Sequence, residues 1–180
     1  MFKYKFLQLK KIKNKNFYFD FVQIHDIQKI RVLRNSNLQI LRQKKKISIK
    51  KQNNYFFSQV KKSTITPKPN MILFSIYSNL KFIGYGGFVN IDWPKKIAEL
   101  SFLTNIDVSN IKKNHEKIFS LYLSLAKKIA KDELKFKKLY SETYSFRKNH
   151  IKILEESNFK KIKKKLNKKN LTSLIHTYDL

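Results

Sequence analysis

One carboxylate stands inside an otherwise apolar run. In IAELSFLT, residues 97 to 104, strand alternation puts Ile97, Glu99, Ser101 and Leu103 on one face and Ala98, Leu100, Phe102 and Thr104 on the other. A carboxylate in such a strand is costly unless it is paired, wet or used. Glu99 therefore reads either as a proton acceptor, as a solvent-facing acid, or as a partner of Lys95 or Lys96. The preceding run, FIGYGGFVNI (82 to 91), holds all three glycines of the chain, Gly84, Gly86 and Gly87. Glycine weakens a strand unless a bulge or a close approach requires it. These glycines either make room or permit a strong twist.

Three of the four arginines cluster at Arg31, Arg34 and Arg42, beside Asn35 and Gln43. Arginine offers bidentate contacts to phosphate that lysine cannot. The cluster reads as an anion-binding group or as a network tying a helix to the loop after it. The histidines, His25, His115, His150 and His176, are scattered without ligand spacing, so no metal site is expected. Trp93, beside Pro94, lines a pocket or covers a sheet edge. The chain has no cysteine. That removes thiol nucleophiles, disulfides and thiolate metal sites, and it fits a cytoplasmic protein.

The net charge of +28 suggests nucleic acid at first sight. The basic residues are almost all lysine, however, and the chain is rich in Lys, Asn, Ile, Phe and Tyr and poor in Gly, Ala, Pro and Arg. An AT-rich genome gives that composition to almost any protein. The lysines are spread along the whole chain, so a solvated surface is the expectation and a nucleic-acid-binding protein the lesser alternative. No apolar run approaches the roughly 18 residues of a membrane span. MFKYKFLQLKKIKNK lacks the continuous apolar segment of a signal peptide.

The elements that must position these residues follow from periodicity. Residues 1–16 are a basic lead-in, in which FKYKFLQL can pair as an edge strand. FYFDFVQI (17 to 24) alternates as a strand. Asp26 can cap a helix through IQKIRVLRN, and Ser48 a second through IKKQNNYFFSQVKK. MILFSIY and FIGYGGFVNI form a hairpin, and IAELSFLT is the next strand. A long helix carries Ile118, Leu121, Tyr122, Leu125 and Ile129 on one stripe. KLYSETYSF is a strand, HIKILEES a helix closed by Asn158 in a left-handed cap, and FKKIKKKL with LTSLIHTY a closing hairpin. The order describes one α+β (mixed α/β) domain over residues 17–180 around a central sheet.

Several stretches resemble the GNAT (Gcn5-related) N-acetyltransferases. IRVLRNSNLQILRQ is similar to the first-helix region of the branch that acetylates amino groups on nucleotide-activated sugars. ILFSIYSNLKFIGYGGFVNIDW followed by AELSFLTN is similar to three successive strands of that branch. EKIFSLYLSLAKKIAKDELKFKKLYSETYSFRKNHIKILEESNFKKI is similar to its helix, parallel strand and last helix, with the family's "GF" turn written Asn158-Phe159. The resemblance spans residues 17–180. It implies the acyl-CoA N-acyltransferase fold, a twisted mixed sheet flanked by helices, and transfer of acetyl from acetyl-CoA to a primary amine. The implied acceptor is an amino sugar on a nucleotide carrier, for surface glycan synthesis.

The implied reaction needs a neutral amine, a held thioester, oxyanion donors and a proton for the leaving thiolate. The resemblance makes Glu99 the general base. It has the pantetheine arm of acetyl-CoA pair with the backbone of Phe102, Leu103 and Thr104 as an added strand. The family's pyrophosphate loop, Gln or Arg, two residues, Gly, one residue, then Gly or Ala, has no match in residues 105–116. Ser109, Lys112, Lys113 and Asn114 are expected to replace it at a helix start. The family's asparagine after the fifth strand falls on Arg147, which is assigned to CoA. Its acid tyrosine falls on Leu154, so Tyr144, Tyr140 or solvent takes that role. Arg34, Asn35, Tyr85 and Trp93 are assigned to the acceptor. No metal is implied, and a homodimer is admissible. A fold that has lost catalysis and serves as a binding or assembly module is the alternative, favoured by the missing glycine loop and tyrosine.

Overall fold

The computed structural model describes residues 3–4, 6–7, 12–14, 17–105, 112–166 and 171–180, apart from the side chains of 12–14 and 112–114. The described residues form eight strands, most of them from alternating apolar runs: β1 (Ile12–Asn14), β2 (Phe17–Phe21), β3 (Ile72–Ser78), β4 (Lys81–Asp92), β5 (Ile97–Thr104), β6 (Lys138–Tyr144), β7 (Lys160–Leu166) and β8 (Thr172–Asp179). They hydrogen-bond in the order β1-β2-β3-β4-β5-β6-β8-β7. Only β5 and β6 are parallel among the registered pairs, so the sheet is mixed, as the α+β expectation required. The parallel register is short, from Ile97↔Lys138 to Glu99↔Tyr140, whereas β6 stays paired with β8 as far as Tyr144↔Ser173.

The chain divides into two compact units. The first comprises Met1–Val89 and Ser101–Asn110, and the second Asn90–Leu100 and Ile111–Leu180.

In the first unit, helix α1 (Ile27–Asn35) buries Ile27, Ile30 and Leu33 against Val22, Phe56, Leu73 and Leu103. Asp26 precedes it but does not cap it, contrary to expectation. Its carboxylate is fully buried and accepts from Ser75 Oγ (2.7 Å), Tyr77 OH (2.6 Å) and Gln23 N (3.1 Å). Three donors satisfy a charge that otherwise could not enter the core. Burial, followed by the bond to Asp26, pushes the Tyr77 hydroxyl far above its ordinary pKa. Ser48 does cap the next helix, accepting from Lys51 N at 3.3 Å. That helix is not regular. α2 (Ile49–Tyr55) passes through one π turn at Phe56–Val60 before α3 (Lys61–Ile65).

Residues 1–16 also depart from expectation. The described strand that pairs with β2 is Ile12–Asn14; of FKYKFLQL only residues 3–4 and 6–7 are among the described residues, and those are not in a strand. Tyr4 is buried instead, and its hydroxyl accepts from Leu73 N at 2.9 Å.

Two glycines are explained by the β4 strand. The register with β3 jumps from Tyr77↔Phe82 to Ile76↔Gly84, which leaves Ile83 as a bulge. A β-carbon on Gly84 would stand 2.5 Å from the Leu103 carbonyl oxygen. At Gly87, φ is +149°, and a β-carbon would collide with the Ile72 carbonyl. The hairpin turn between β3 and β4 sets Asn79 and Leu80 at positive φ, the pattern that matches strand twist.

In the second unit, helix α4 (Lys112–Asp132) buries Ile118, Tyr122 and Ile129 of the stripe read from the sequence, together with Phe119, Leu123 and Ala126, whereas Leu121 and Leu125 are only half-buried, so the core face is rotated from the expected one. Helix α5 (Lys148–Glu156) buries Ile151, Ile153 and Leu154. It ends where Asn158 takes φ +63° and Phe159 N reaches back to Leu154 O at 2.9 Å. Leu154 is 0% exposed, so the position aligned with the family's acid tyrosine belongs to the core here. Leu154→Ala is expected to cost about 2–5 kcal/mol, read as a lower denaturation midpoint at unchanged slope. β7 ends the sheet order, and its sequence, KKIKKKL, is exposed throughout.

Candidate functional site

The first unit contains a cavity of about 380 Å³, within the size range of small-molecule sites. Its apolar wall comes from Val22, Ile30, Phe56, Val60, Leu73 and Val89, and its polar groups are Arg34, Lys51, Gln52, Tyr55, Tyr85 and Ser101. Helical spacing explains the composition. Ile30 and Arg34 lie one turn apart on α1. Gln52 and Tyr55 lie on α2, and the π turn that follows brings Phe56 and Val60 to the same cavity.

Arg34 is held in place from two sides. Its NH1 donates to Tyr85 OH at 2.7 Å, and its Nε to Gln43 Oε1 at 3.0 Å. Gln43 in turn donates to Asn35 Oδ1 (3.2 Å) and Lys45 O (2.9 Å). Asn35 clasps the backbone of Ile47, donating to its carbonyl (3.0 Å) and accepting from its N–H (2.8 Å). Arg34 and Tyr85 are thus brought together on the cavity. Asn35 spends its amide on the helix-to-loop network that fixes them. Arg31 Nε is engaged locally by Gln28 Oε1 at 2.7 Å. No carboxylate lines the cavity, and neither Arg34 nor Lys51 forms a salt bridge among the described residues. Gln52 is 5% exposed and is among the residues that line the cavity. Burial raises the Tyr55 hydroxyl above its ordinary pKa.

In the second unit, Glu99 is 7% exposed and accepts from Asn90 Nδ2 through Oε2 at 2.7 Å. Asn90 can reach it because it sits at φ +49° in β4, a conformation asparagine tolerates. The sequence reading did not single out Asn90; an asparagine inside the apolar run FVNID was the available signal. Lys95, a suggested partner of Glu99, pairs with Asp92 at 3.1 Å. Trp93 packs edge-on against Phe136, 5.3 Å between centroids, and is not among the cavity residues.

Phe102, Leu103 and Thr104 are buried on β5. Lys112, Lys113 and Asn114 open α4, with side chains outside those described; Ser109 lies outside the described residues. Tyr144 is buried and stacks on Phe146 at 5.5 Å. Arg147 sits at the start of α5, its guanidinium 3.3 Å from Thr143 Oγ1 and 3.3 Å from His150 Nδ1. Burial lowers its pKa to about 10.

His150 stacks on Phe119 at 4.0 Å, with His115 6.0 Å away. Burial, then the charge of Arg147, drives the His150 pKa well below its ordinary value, and burial lowers those of His115 and His176 as well. Glu116 and Glu155 oppose the shift at His115 and His176 respectively, the latter with Glu155 Oε1 3.5 Å from His176 Nε2. A base whose folded pKa is depressed stabilises the fold fully above its unfolded pKa, about 6.5, and loses that contribution as pH falls toward the folded pKa. Stability is therefore expected to be flat above pH 7 and to drop below about 6.5, by up to about 1.4 kcal/mol per pH unit for each such histidine. Urea denaturation at several pH values checks this, and His150→Phe, which keeps a ring on Phe119, should flatten the decline.

Among the described residues, no group of three or more His, Cys, Asp or Glu could hold a metal ion, and no helix is long and apolar enough to cross a membrane.

Comparison with known proteins bears on both units. The sequence model described as "Acetyltransferase (GNAT) domain" matches residues 20–173. Among curated proteins nothing matches the sequence. Solved structures do. Spermidine N-acetyltransferase from Vibrio cholerae, in complex with CoA and spermine, superposes with a TM-score of 0.77 at 12% identity, covering 92% of this chain and 96% of that one. A dodecameric structure of the Vibrio cholerae enzyme in an intermediate state gives 0.74 at 12% identity, covering 92% and 95%. At these identities the likeness shows a shared fold.

Proposed function

Because the chain belongs to the GNAT acetyltransferase family, we propose that it transfers acetyl from acetyl-CoA to the primary amine of a sugar carried on a nucleotide, with the Arg34–Tyr85 cavity receiving the acceptor. The family assignment establishes an N-acetyltransferase of the GNAT type; the acceptor and the residue roles are the proposal. The observation that carries it is the cavity: two cations, no carboxylate and an apolar wall. Such a lining suits an acceptor that brings its own negative charge. The spermidine enzymes that share the fold act on a polycation, which Arg34 and Lys51 would repel.

In this reading Glu99 takes the proton of the acceptor ammonium, directly or through water, and the Asn90 amide holds its carboxylate in place. The amine nitrogen then bonds to the thioester carbonyl carbon, the C–S bond breaks, and CoA leaves as a thiolate. Tyr144, Tyr140 or solvent supplies its proton, and the second proton that the nitrogen sheds on becoming an amide returns to that group or to solvent. Acetyl-CoA provides the activated acyl group. Its fit is supported by the short parallel register, since β5 runs on to Thr104 after its last parallel pair, giving Phe102, Leu103 and Thr104 backbone groups to offer an added strand. Lys112, Lys113 and Asn114, at the amino end of a long helix, and Arg147 are assigned to its phosphates. Self-association belongs to the same reading and is supported by the dodecameric neighbour.

The test is release of free CoA thiol from acetyl-CoA with a panel of amines: a uridine diphosphate-linked amino sugar, glucosamine 6-phosphate and spermidine. Arg34→Ala is expected to raise KM for the anionic acceptors by about 10- to 100-fold, the loss of one or two charged hydrogen bonds. Equal KM values would remove Arg34 from the acceptor site. No thiol release with any amine, with acetyl-CoA still bound in calorimetry, would leave a binding module in place of an enzyme.

A further inference from the structure

We propose that Gln52 is the specificity-determining residue of the acceptor cavity, where its amide hydrogen-bonds a hydroxyl or amide group of the acceptor. The inference rests on the acetyl-transfer reading above and adds a second recognition element to it. Gln52 is 5% exposed and lines the cavity. The amide borders an open cavity, where water meets it in the free protein, so a ligand that displaces that water loses affinity unless it replaces those hydrogen bonds. The two functions of the amide limit that group. Its nitrogen donates and its oxygen accepts, so the matching group must do both. A phosphate only accepts and an ammonium only donates. A hydroxyl or an amide does both.

The surroundings sharpen this. Arg34 and Lys51 supply positive charge to the same cavity, and no acid offsets it. An acceptor that satisfies the whole lining carries an amine, an anion and a hydroxyl or amide. A polyamine offers only donors and methylenes, so it would leave half of Gln52 unpaired as well as meeting like charge. A site built to hydrogen-bond a group rejects analogues that lack it.

The test compares glucosamine 6-phosphate, which has hydroxyls, with 3-aminopropyl phosphate, which has none. Gln52→Leu keeps the bulk and removes the amide. It is expected to raise KM for glucosamine 6-phosphate by about 10- to 100-fold with kcat little changed. KM for 3-aminopropyl phosphate should stay within about twofold, and Gln52→Asn should recover part of the loss. A purely structural role would weaken both acceptors alike, and that result, or no change for either, overturns the proposal. If the wild-type protein releases no CoA with any amine, the acetyl-transfer reading itself falls. Calorimetric titration of glucosamine 6-phosphate then decides Gln52 separately. Binding at least tenfold weaker in Gln52→Leu upholds its role, and equal or undetectable binding in both proteins overturns it.

Discussion

Glu99→Gln is expected to lower kcat/KM for acetyl transfer by about 10²- to 10⁴-fold at neutral pH, the range that a positioned general base supplies, while acetyl-CoA binds as before. The substitution is nearly isosteric. The amide can still accept from Asn90 Nδ2 through its oxygen, so the fold has little reason to change. What disappears is the ability to take a proton. A loss confined to kcat, with unchanged denaturation, identifies proton transfer. A loss matched by falling stability would instead mark Glu99 as a structural partner of Asn90. Full activity would place the base elsewhere or leave deprotonation to solvent.

The second large effect concerns folding. Gly87→Ala is expected to prevent accumulation of folded protein or to cost about 3–5 kcal/mol, because steric collision and backbone strain act together. At φ +149° a side chain is strained wherever it points, and this one would meet the Ile72 carbonyl and come within 2.9 Å of Leu73 Cα. Both obstacles are backbone in a paired strand, so neither can rotate away. Gly84→Ala tests the same idea more gently, since its φ is ordinary and only the approach of Leu103 and Thr104 opposes it. Expression with a far-ultraviolet spectrum and a thermal midpoint separates the cases. A Gly87→Ala protein of normal stability would show that β4 can relax and that the glycine is dispensable.

Much of the fold was legible because local pattern and tertiary need agree. IAELSFLT alternates and is a strand over those same residues. IQKIRVLRN carries a helical stripe and is α1. Asn158 tolerates the left-handed region and closes α5 there. The misses arise where a residue answers to something distant in sequence. Asp26 has the chemistry of a cap, but Ser75 and Tyr77, some fifty residues on, offer its oxygens better partners. The π turn leaves the apolar periodicity of residues 49–65 almost unchanged, so periodicity cannot report it. Of the proposed site, Glu99 and Arg34 were visible because each is rare in its surroundings, an acid in an apolar strand and an arginine in a lysine-rich chain. Gln52 was not, since one neutral amide on a polar helix carries no signal until the backbone shows what it faces, and Asn90 offered only its place inside the apolar run FVNID. The lysine excess had the opposite effect and hid any local meaning of positive charge.

That excess has a use at the end of the sheet. β7 is the terminal strand of the order, and five of its seven residues are lysine. Two copies joining edge to edge there would bring their ammonium rows within roughly the 4.8 Å spacing of paired strands, and the repulsion would be paid before any ladder formed. The row of lysines thereby sets a charge barrier against growth along that edge.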